Sequence, residues 1–274
     1  MTIIFFKGWR EAMPTYEFGR AMTAVDVVML TVPDFWKSAG GESRLEVALV
    51  ERTAEPFSGR LALPGTIVRV EAGAEGRVDR TDLHAARRVV AEKMTLAPPH
   101  LEQLYTWFRH DWDPRGPVTV ISYFALVPFD RFCKATDGLL RFCAVDELPK
   151  LAFRHNTIVD KAVERVRGKA MYSSLPGLLM PECFTLRELM SMYEAVLGRT
   201  ANADRMDLPN FSRKIAKLGI LEPVEDTSGE AARHALARSA SRGRRPEFYR
   251  LVDRKLQTFE RTEFDVQPVR RLTE

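Results

Sequence analysis

Near residue 156 the chain changes its hydrophobic period, and that change constrains its architecture more than any other feature. Before it, apolar residues come in short runs rich in β-branched side chains: Ala24 to Val32, Leu45 to Val50 and Val118 to Val127. Pro33 and the Pro64-Gly65 pair punctuate them, so they read as strands separated by turns. After it, apolar residues recur every three or four positions, as on one face of a helix. Ile158, Ala162, Val163 and Val166 form one such stripe; Leu186, Leu189, Met190, Tyr193 and Leu197 form another. A chain of 274 residues also suits two domains at roughly 150 residues each.

In the first part the runs 24–32 and 45–50 can pair as a hairpin, and Thr66 to Val70 is strand-like. One helix is expected at 82–95, capped by Thr81 or Asp82, with Leu83, Ala86, Val90 and Met94 on its apolar face and Pro98-Pro99 stopping it. Leu101 to Phe108 is a mixed apolar segment without a clear period. Strands around one helix imply a mixed α/β domain over 1–153.

The segment 154–180 reads as a connecting helix that Gly168 can end, then a linker over Leu175 to Pro181 with two prolines. The domain after it, 181–274, opens with Thr185-Leu186-Arg187-Glu188, a capping box. Gly198 is placed to cap that helix at its C-terminus. A second helix is expected over 208–218, with Phe211, Ile215 and Leu218 inward and Gly219 ending it. Ile220-Leu221 and Phe248 to Val252 look like paired strands joined by a long connection. Helix, helix, strand, long loop, strand is the order of a winged helix-turn-helix.

Charge sharpens the second part. The total is only +4, but residues 1–150 carry 19 basic and 20 acidic side chains, so the excess lies entirely in 151–274. No acid occurs from Leu208 to Leu221, which is +3. Residues 231–250 hold six arginines against Glu247 alone. Arg and Asn make bidentate bonds to base edges, whereas Lys and Ser position a helix on phosphates. Asn210, Ser212, Arg213, Lys214 and Lys217 are therefore the candidate recognition residues, with Arg244, Arg245 and Tyr249 on the wing. The partner they suit is double-stranded DNA.

Several classes are set aside. No apolar run approaches the roughly 18 residues of a membrane span, and Ile3 to Phe6 is too short for a signal-peptide core. Cys133, Cys143 and Cys183 form no metal pair and no disulfide framework, and suit buried thiols in a reducing, cytoplasmic compartment. His84 and His155 lack partners at zinc-ligand spacing and read as ordinary helix or interface histidines.

The helix 82–95 follows a Leu-Pro-Gly turn and reads Arg87-Arg88-Val89-Val90-Ala91-Glu92-Lys93-Met94-Thr95-Leu96. This resembles the Nudix signature helix, R-E-U-x-E-E-x-G-U, with Arg88 on the Arg and Glu92 on the first Glu of the pair. Val89 then replaces a catalytic Glu, Lys93 a metal-binding Glu and Thr95 the Gly. A Nudix site needs oxygen ligands for hard cations; Val supplies none and an ammonium repels the ion. The loop 71–80 is longer than the pattern allows, although Glu71 or Glu75 could substitute for its missing Glu.

Beyond that helix the resemblance extends over roughly 20–250. Leu101 to Thr106, Asp113-Pro114-Arg115-Gly116, Leu151-Ala152-Phe153-Arg154-His155, Leu178 to Glu182, Phe184 to Leu189 and the wing strand Phe248-Tyr249-Arg250 recur in order. They resemble the Nudix-related transcriptional regulators of the NrtR type, which usually carry an acid where this chain has Arg154. The resemblance implies an α+β chain: a Nudix-like α/β/α sandwich with a mixed sheet, then a winged helix. It implies a homodimer on operator DNA and a small phosphorylated effector. Many such regulators control NAD synthesis and sense ADP-ribose; others control sugar catabolism. Phe57, Arg60, Arg69, Lys93, Tyr105 and Arg115 lie near the segments forming the Nudix cleft and are the candidate effector residues; an arginine or Lys93 would take the pyrophosphate in place of metals. No metal, cofactor or catalytic residue is expected. A Nudix hydrolase acting on ADP-ribose is the alternative, and a protein-interaction module a weaker third.

Overall fold

The computed structural model describes residues 21–33, 43–70, 78–93, 97–132, 140–199, 206–225, 229–238 and 247–259. Strands β1 (Met22–Thr31), β2 (Glu46–Glu51), β3 (Leu61–Ala62), β4 (Gly65–Ile67), β5 (His100–Arg109), β6 (Val118–Leu126) and β7 (Leu140–Ala144) form one mixed sheet. β1 is central: it runs parallel to β6 and antiparallel to β2 and β4. β5 forms an edge on β6, and β2 also carries β3 and β7.

β1 is apolar almost throughout because both of its faces are covered. Val25, Val27 and Met29 pack under helix α1 (Asp82–Ala91), against Ala85, Ala86, Val89 and Val90. Val28, Leu30 and Val32 face the other way, into a core shared with Ile158, Val159, Ala162 and Val166 of helix α2 (His155–Ala170). Asp26 interrupts the run on that second face and is only 7% exposed.

Thr81 caps α1 as expected, its Oγ1 accepting from the His84 N–H at 3.1 Å. The helix ends sooner than its period suggested, with Glu92 as C-cap. Met94, Thr95 and Leu96 lie outside the described residues. Leu101 to Phe108, without a period in sequence, is the body of β5.

Two expectations about the connection need correction. Gly168 does not end α2; its φ is not positive, and the helix runs on to Ala170, which is fully buried. Nor is Leu175 to Pro181 a spacer. Leu175–Leu179 is a 3-10 helix whose five residues are all buried, and a Cβ on Gly177 would lie 3.3 Å from Leu251. Prolines and short apolar residues punctuate an extended linker and a buried tight helix alike, so composition could not separate them.

Helices α3 (Leu186–Leu197) and α4 (Leu208–Leu218) follow, then the antiparallel pair β8 (Leu221–Pro223) and β9 (Tyr249–Leu251). The capping box at Thr185 and Glu188 is complete, and Gly198 and Gly219 close the two helices in the left-handed region. The β8–β9 connection is not the plain long loop expected: it contains helix α5 (Glu230–Arg238), with Ala235 packed on Cys183 and Phe248.

Candidate functional site: an arginine-rimmed pocket and a basic helix

A cavity of about 300 Å³ opens beside β1, β4 and β6, within the range that takes a small ligand. Its walls are Val118, Val120, Leu63 and Trp112, residues of the core face that α2 covers. The pocket thus lies on the side of β1 away from α1.

The polar end is deep. His155, the first residue of α2, accepts a hydrogen bond at Nδ1 from the Leu63 N–H at 2.9 Å. A neutral ring therefore holds its proton on Nε2, which lies 3.3 Å from Asp26 Oδ2. Both side chains are at least nine-tenths buried. At 3.3 Å the His155 Nε2 takes up one side of the Asp26 carboxylate and leaves it further acceptor capacity towards the pocket. Gly65 makes this packing possible: a Cβ there would overlap Asp26 Oδ1.

The mouth is cationic. Arg52 donates from Nε to the Pro56 carbonyl at 2.8 Å and from Nη2 to the Ala54 carbonyl at 3.0 Å. Its guanidinium carbon sits 4.6 Å from the centre of the Phe153 ring, and that of Arg115 sits 6.0 Å from it. Arg115 donates to Asp113 from Nε and Nη2, at 3.0 and 2.7 Å. Burial and the neighbouring Arg115 hold the Arg52 guanidinium below its usual value. Burial pushes the Asp113 carboxyl up, but the Arg115 hydrogen bonds outweigh it and leave it below the usual carboxylate range. One carboxylate against two guanidiniums leaves a positive rim. Phe153, Arg154 and Phe57 all have positive φ, a conformation that costs about 1–2 kcal/mol and gathers at functional sites.

Of the six expected effector residues, Arg115 lines this pocket. Phe57 supports it from behind, its ring edge-on to Phe153 at 5.0 Å, and Arg60 lies over Phe57 at 5.3 Å. Arg69, Lys93 and Tyr105 do not line it. Arg69 ties its N–H to Asp79, Lys93 follows the C-cap of α1, and Tyr105 is half exposed on β5 against Trp107. The pocket is also lined by Asp26, Arg52, Asp113, Phe153 and His155, none of which the sequence put among the effector candidates. A buried acid inside an otherwise apolar strand was the one available signal.

The donor set of α1 does not fit a Nudix metal centre. Val89 is 3% exposed and belongs to the core under the helix. Arg88 is committed to Asp79 at 2.6 Å and to Thr66 Oγ1 at 3.1 Å. Glu92 is exposed, 4.0 Å from Arg88. Among the described residues no three His, Cys, Asp or Glu are grouped to hold a metal ion. Glu71 and Glu75 lie outside those residues.

In the second part α4 starts at an Asp207 cap and buries Phe211 and Ile215. Asn210, Arg213 and Lys217 are exposed and Lys214 half-buried. Their i, i+3, i+4, i+7 spacing makes one continuous stripe; Ser212, partly exposed, lies beside it. Tyr249 donates its hydroxyl to Glu247 at 2.9 Å, and Arg250 is paired with Glu222 at 2.5 Å. Arg244 and Arg245 lie outside the described residues.

α2 joins the two sites. His155 at its N-terminus and Phe153 in the turn just before it line the pocket, and the helix packs on α3 and the 175–179 helix. Lys169 and Arg165 of α2 hold Glu102 of β5 at 2.5 and 3.4 Å. Among the described residues no helix is long and apolar enough to cross a membrane.

Residues 176–251 match the family model of the NrtR DNA-binding winged helix domain. The ADPR responsive transcriptional repressor NtrR of Acinetobacter baylyi is 29% identical over 190 residues, covering 68% of this chain and 72% of that protein. An ADP-ribose pyrophosphatase of Methanocaldococcus jannaschii is 33% identical over 116 residues, covering 42% of this chain and 63% of that one. The crystal structure of Shewanella oneidensis NrtR superposes with a TM-score of 0.65 at 27% identity, over 84% of this chain and 93% of that one. The same protein complexed with a 27mer DNA gives 0.63 at 28% identity, over the same shares. The α+β order expected from the sequence, a Nudix-like domain and then a winged helix, is the one shared with NrtR.

Proposed function

We propose that this chain, a Nudix-related protein of the NrtR type, is a transcriptional regulator whose hold on operator DNA is set by a phosphorylated effector related to ADP-ribose. The observation that carries this reading is the acid-free stripe Asn210, Arg213, Lys214, Lys217 on the second helix of an NrtR winged helix. The Acinetobacter relative is named as ADPR responsive, and a pocket with Arg52 and Arg115 at its mouth suits a diphosphate held without metal.

In this reading α2 transmits the signal. A ligand shifts an equilibrium only by binding one state better than the other. Contacts at Phe153 and His155 bear on the N-terminus of the same helix that packs on the winged helix. Two copies of the chain bring two recognition helices to half-sites about one or two turns apart. The regulator acts in the cytoplasm, where its DNA is.

The first domain is read as a sensor without hydrolase activity, because Val89 is core and Lys93 opposes a cation. The similarity to an ADP-ribose pyrophosphatase favours the second reading, a working Nudix hydrolase. Two measurements decide. Fluorescence anisotropy with DNA from upstream of the chain's own operon is expected to show binding that ADP-ribose changes; no binding even at low salt, where phosphate contacts are strongest, refutes the regulator. Incubation with ADP-ribose and Mg²⁺ or Mn²⁺ is expected to leave it intact; turnover at an ordinary enzyme rate establishes the hydrolase.

A further inference from the structure

We propose that Asp26 and His155 form the specificity-determining end of the pocket and take a sugar hydroxyl of the effector, so that the ligand enters sugar first with its phosphates at the Arg52–Arg115 mouth. The proposal rests on the effector reading above and adds orientation and selectivity to it.

The polarity of the pocket runs in one direction. Asp26 and His155 are nearly closed to solvent, whereas the Arg115 side chain is about half exposed. Val118, Val120, Leu63 and Trp112 supply apolar wall to the same pocket. An anion is drawn to the two guanidiniums and repelled by the Asp26 carboxylate. A neutral donor has the opposite preference.

The pair also distinguishes among neutral donors. The Asp26 carboxylate has the His155 Nε2 at 3.3 Å as its one contact with a donor among the described residues, and a carboxylate accepts more bonds than that, so it has acceptor capacity left for a ligand in the pocket it lines. The bond from the Leu63 N–H to Nδ1 turns the Nε2–H of a neutral His155 towards Asp26. A group within reach of both must donate to the carboxylate and accept from the imidazole. A hydroxyl does both; an aromatic amino group has no lone pair free for the second bond. Asp113, the other carboxylate of the pocket, is already taken up by Arg115. Because His155 begins α2, the hydroxyl contact falls on the helix that packs against the winged helix.

The test uses the full chain, titrated calorimetrically with ADP-ribose and with ADP, which keeps the diphosphate but lacks the terminal sugar. The wild type is expected to prefer ADP-ribose. In Asp26→Asn, and separately in His155→Asn, the preference is expected to shrink by about ten-fold, the scale of a charge-assisted hydrogen bond. The second variant keeps an acceptor for Leu63 while removing the Nε2–H, and ADP binding in each variant reports an intact pocket. A wild type without preference overturns the proposal, as does a preference that survives both substitutions; the effector reading then stands alone. A wild type that binds neither nucleotide overturns that reading and this proposal together. Arg115→Ala, by contrast, is expected to weaken both nucleotides alike.

Discussion

The guanidinium of Arg167 lies across the end of α3, so close to Gly198 that a Cβ there would come within 2.7 Å of its Nη2. The same Nη2 donates to Asp146 at 3.1 Å. One side chain of α2 therefore touches the segment after β7 on one side and the cap of a winged-helix helix on the other. Gly198 serves twice: its φ of 72° ends α3, and its missing side chain makes room for Arg167.

Gly198→Ala is expected to lower stability by about 2 kcal/mol, because it combines a left-handed alanine with a contact Arg167 must vacate. Asn, which tolerates positive φ, is expected to recover little, since its side chain meets the same guanidinium. Urea unfolding midpoints of the two variants check this; a benign Asn would mean that φ alone matters.

Val89→Glu, which restores the carboxylate of the Nudix pattern, is expected to destabilise the protein by several kcal/mol and not to create a hydrolase. The position is packed against Val25 and Val27 under α1, and burying an unpaired carboxylate there is costly. Thermal unfolding and an ADP-ribose turnover assay with Mg²⁺ read the two halves of the expectation. Folding well and turning over would show that this face of α1 can open.

Stability is expected to fall as the pH drops through the ordinary imidazole range near 6.5. Burial holds His100 below its usual pKa, more strongly than the nearby Glu102 raises it, and Lys169 adds to the lowering. The unfolded chain then takes up a proton that the folded chain refuses, so the contribution is complete above that range and is lost as pH falls through it. His100→Gln is expected to flatten the dependence of the unfolding midpoint between pH 8 and pH 5.5. An unchanged slope would assign the effect to other groups.

Arg213→Ala and Lys217→Ala are expected to weaken DNA binding and leave nucleotide affinity nearly unchanged. A phosphate contact, once removed, lowers the slope of log K against log salt by about 1. A base contact instead relaxes the preference at one position of the site at a cost of about 1–3 kcal/mol. Anisotropy titrations over a salt series separate the two roles; an equal loss of nucleotide binding would indicate misfolding.

Much of the fold was legible because its signals are local. Thr81, the Thr185–Glu188 box, Gly198 and Gly219 mark helix ends through bonds that span only a few residues. β1 and β6 announce themselves because both are largely buried. β5 was not legible: as an edge strand it leaves most side chains at least partly exposed, so no alternation survives. The 175–179 helix and α5 were missed because each is stabilised by neighbours distant in sequence, Leu251 for one and Phe248 for the other.

The sequence by itself determined that the chain has two parts of different period, that the second is basic, and that Val89 and Lys93 stand at two carboxylate positions of the Nudix helix. These depend on residue identity and on spacings within one element. Only the tertiary structure decided which cations line the pocket. Arg52, just after β2, and Arg115, in the turn before β6, do, while Arg69 and Lys93 do not, because packing between segments distant in sequence, not local spacing, decides which side chains meet at one cavity. Packing of α2 on the sheet likewise brings His155 within 3.3 Å of Asp26, 129 positions away in the chain numbering, a contact that no spacing within one element could announce.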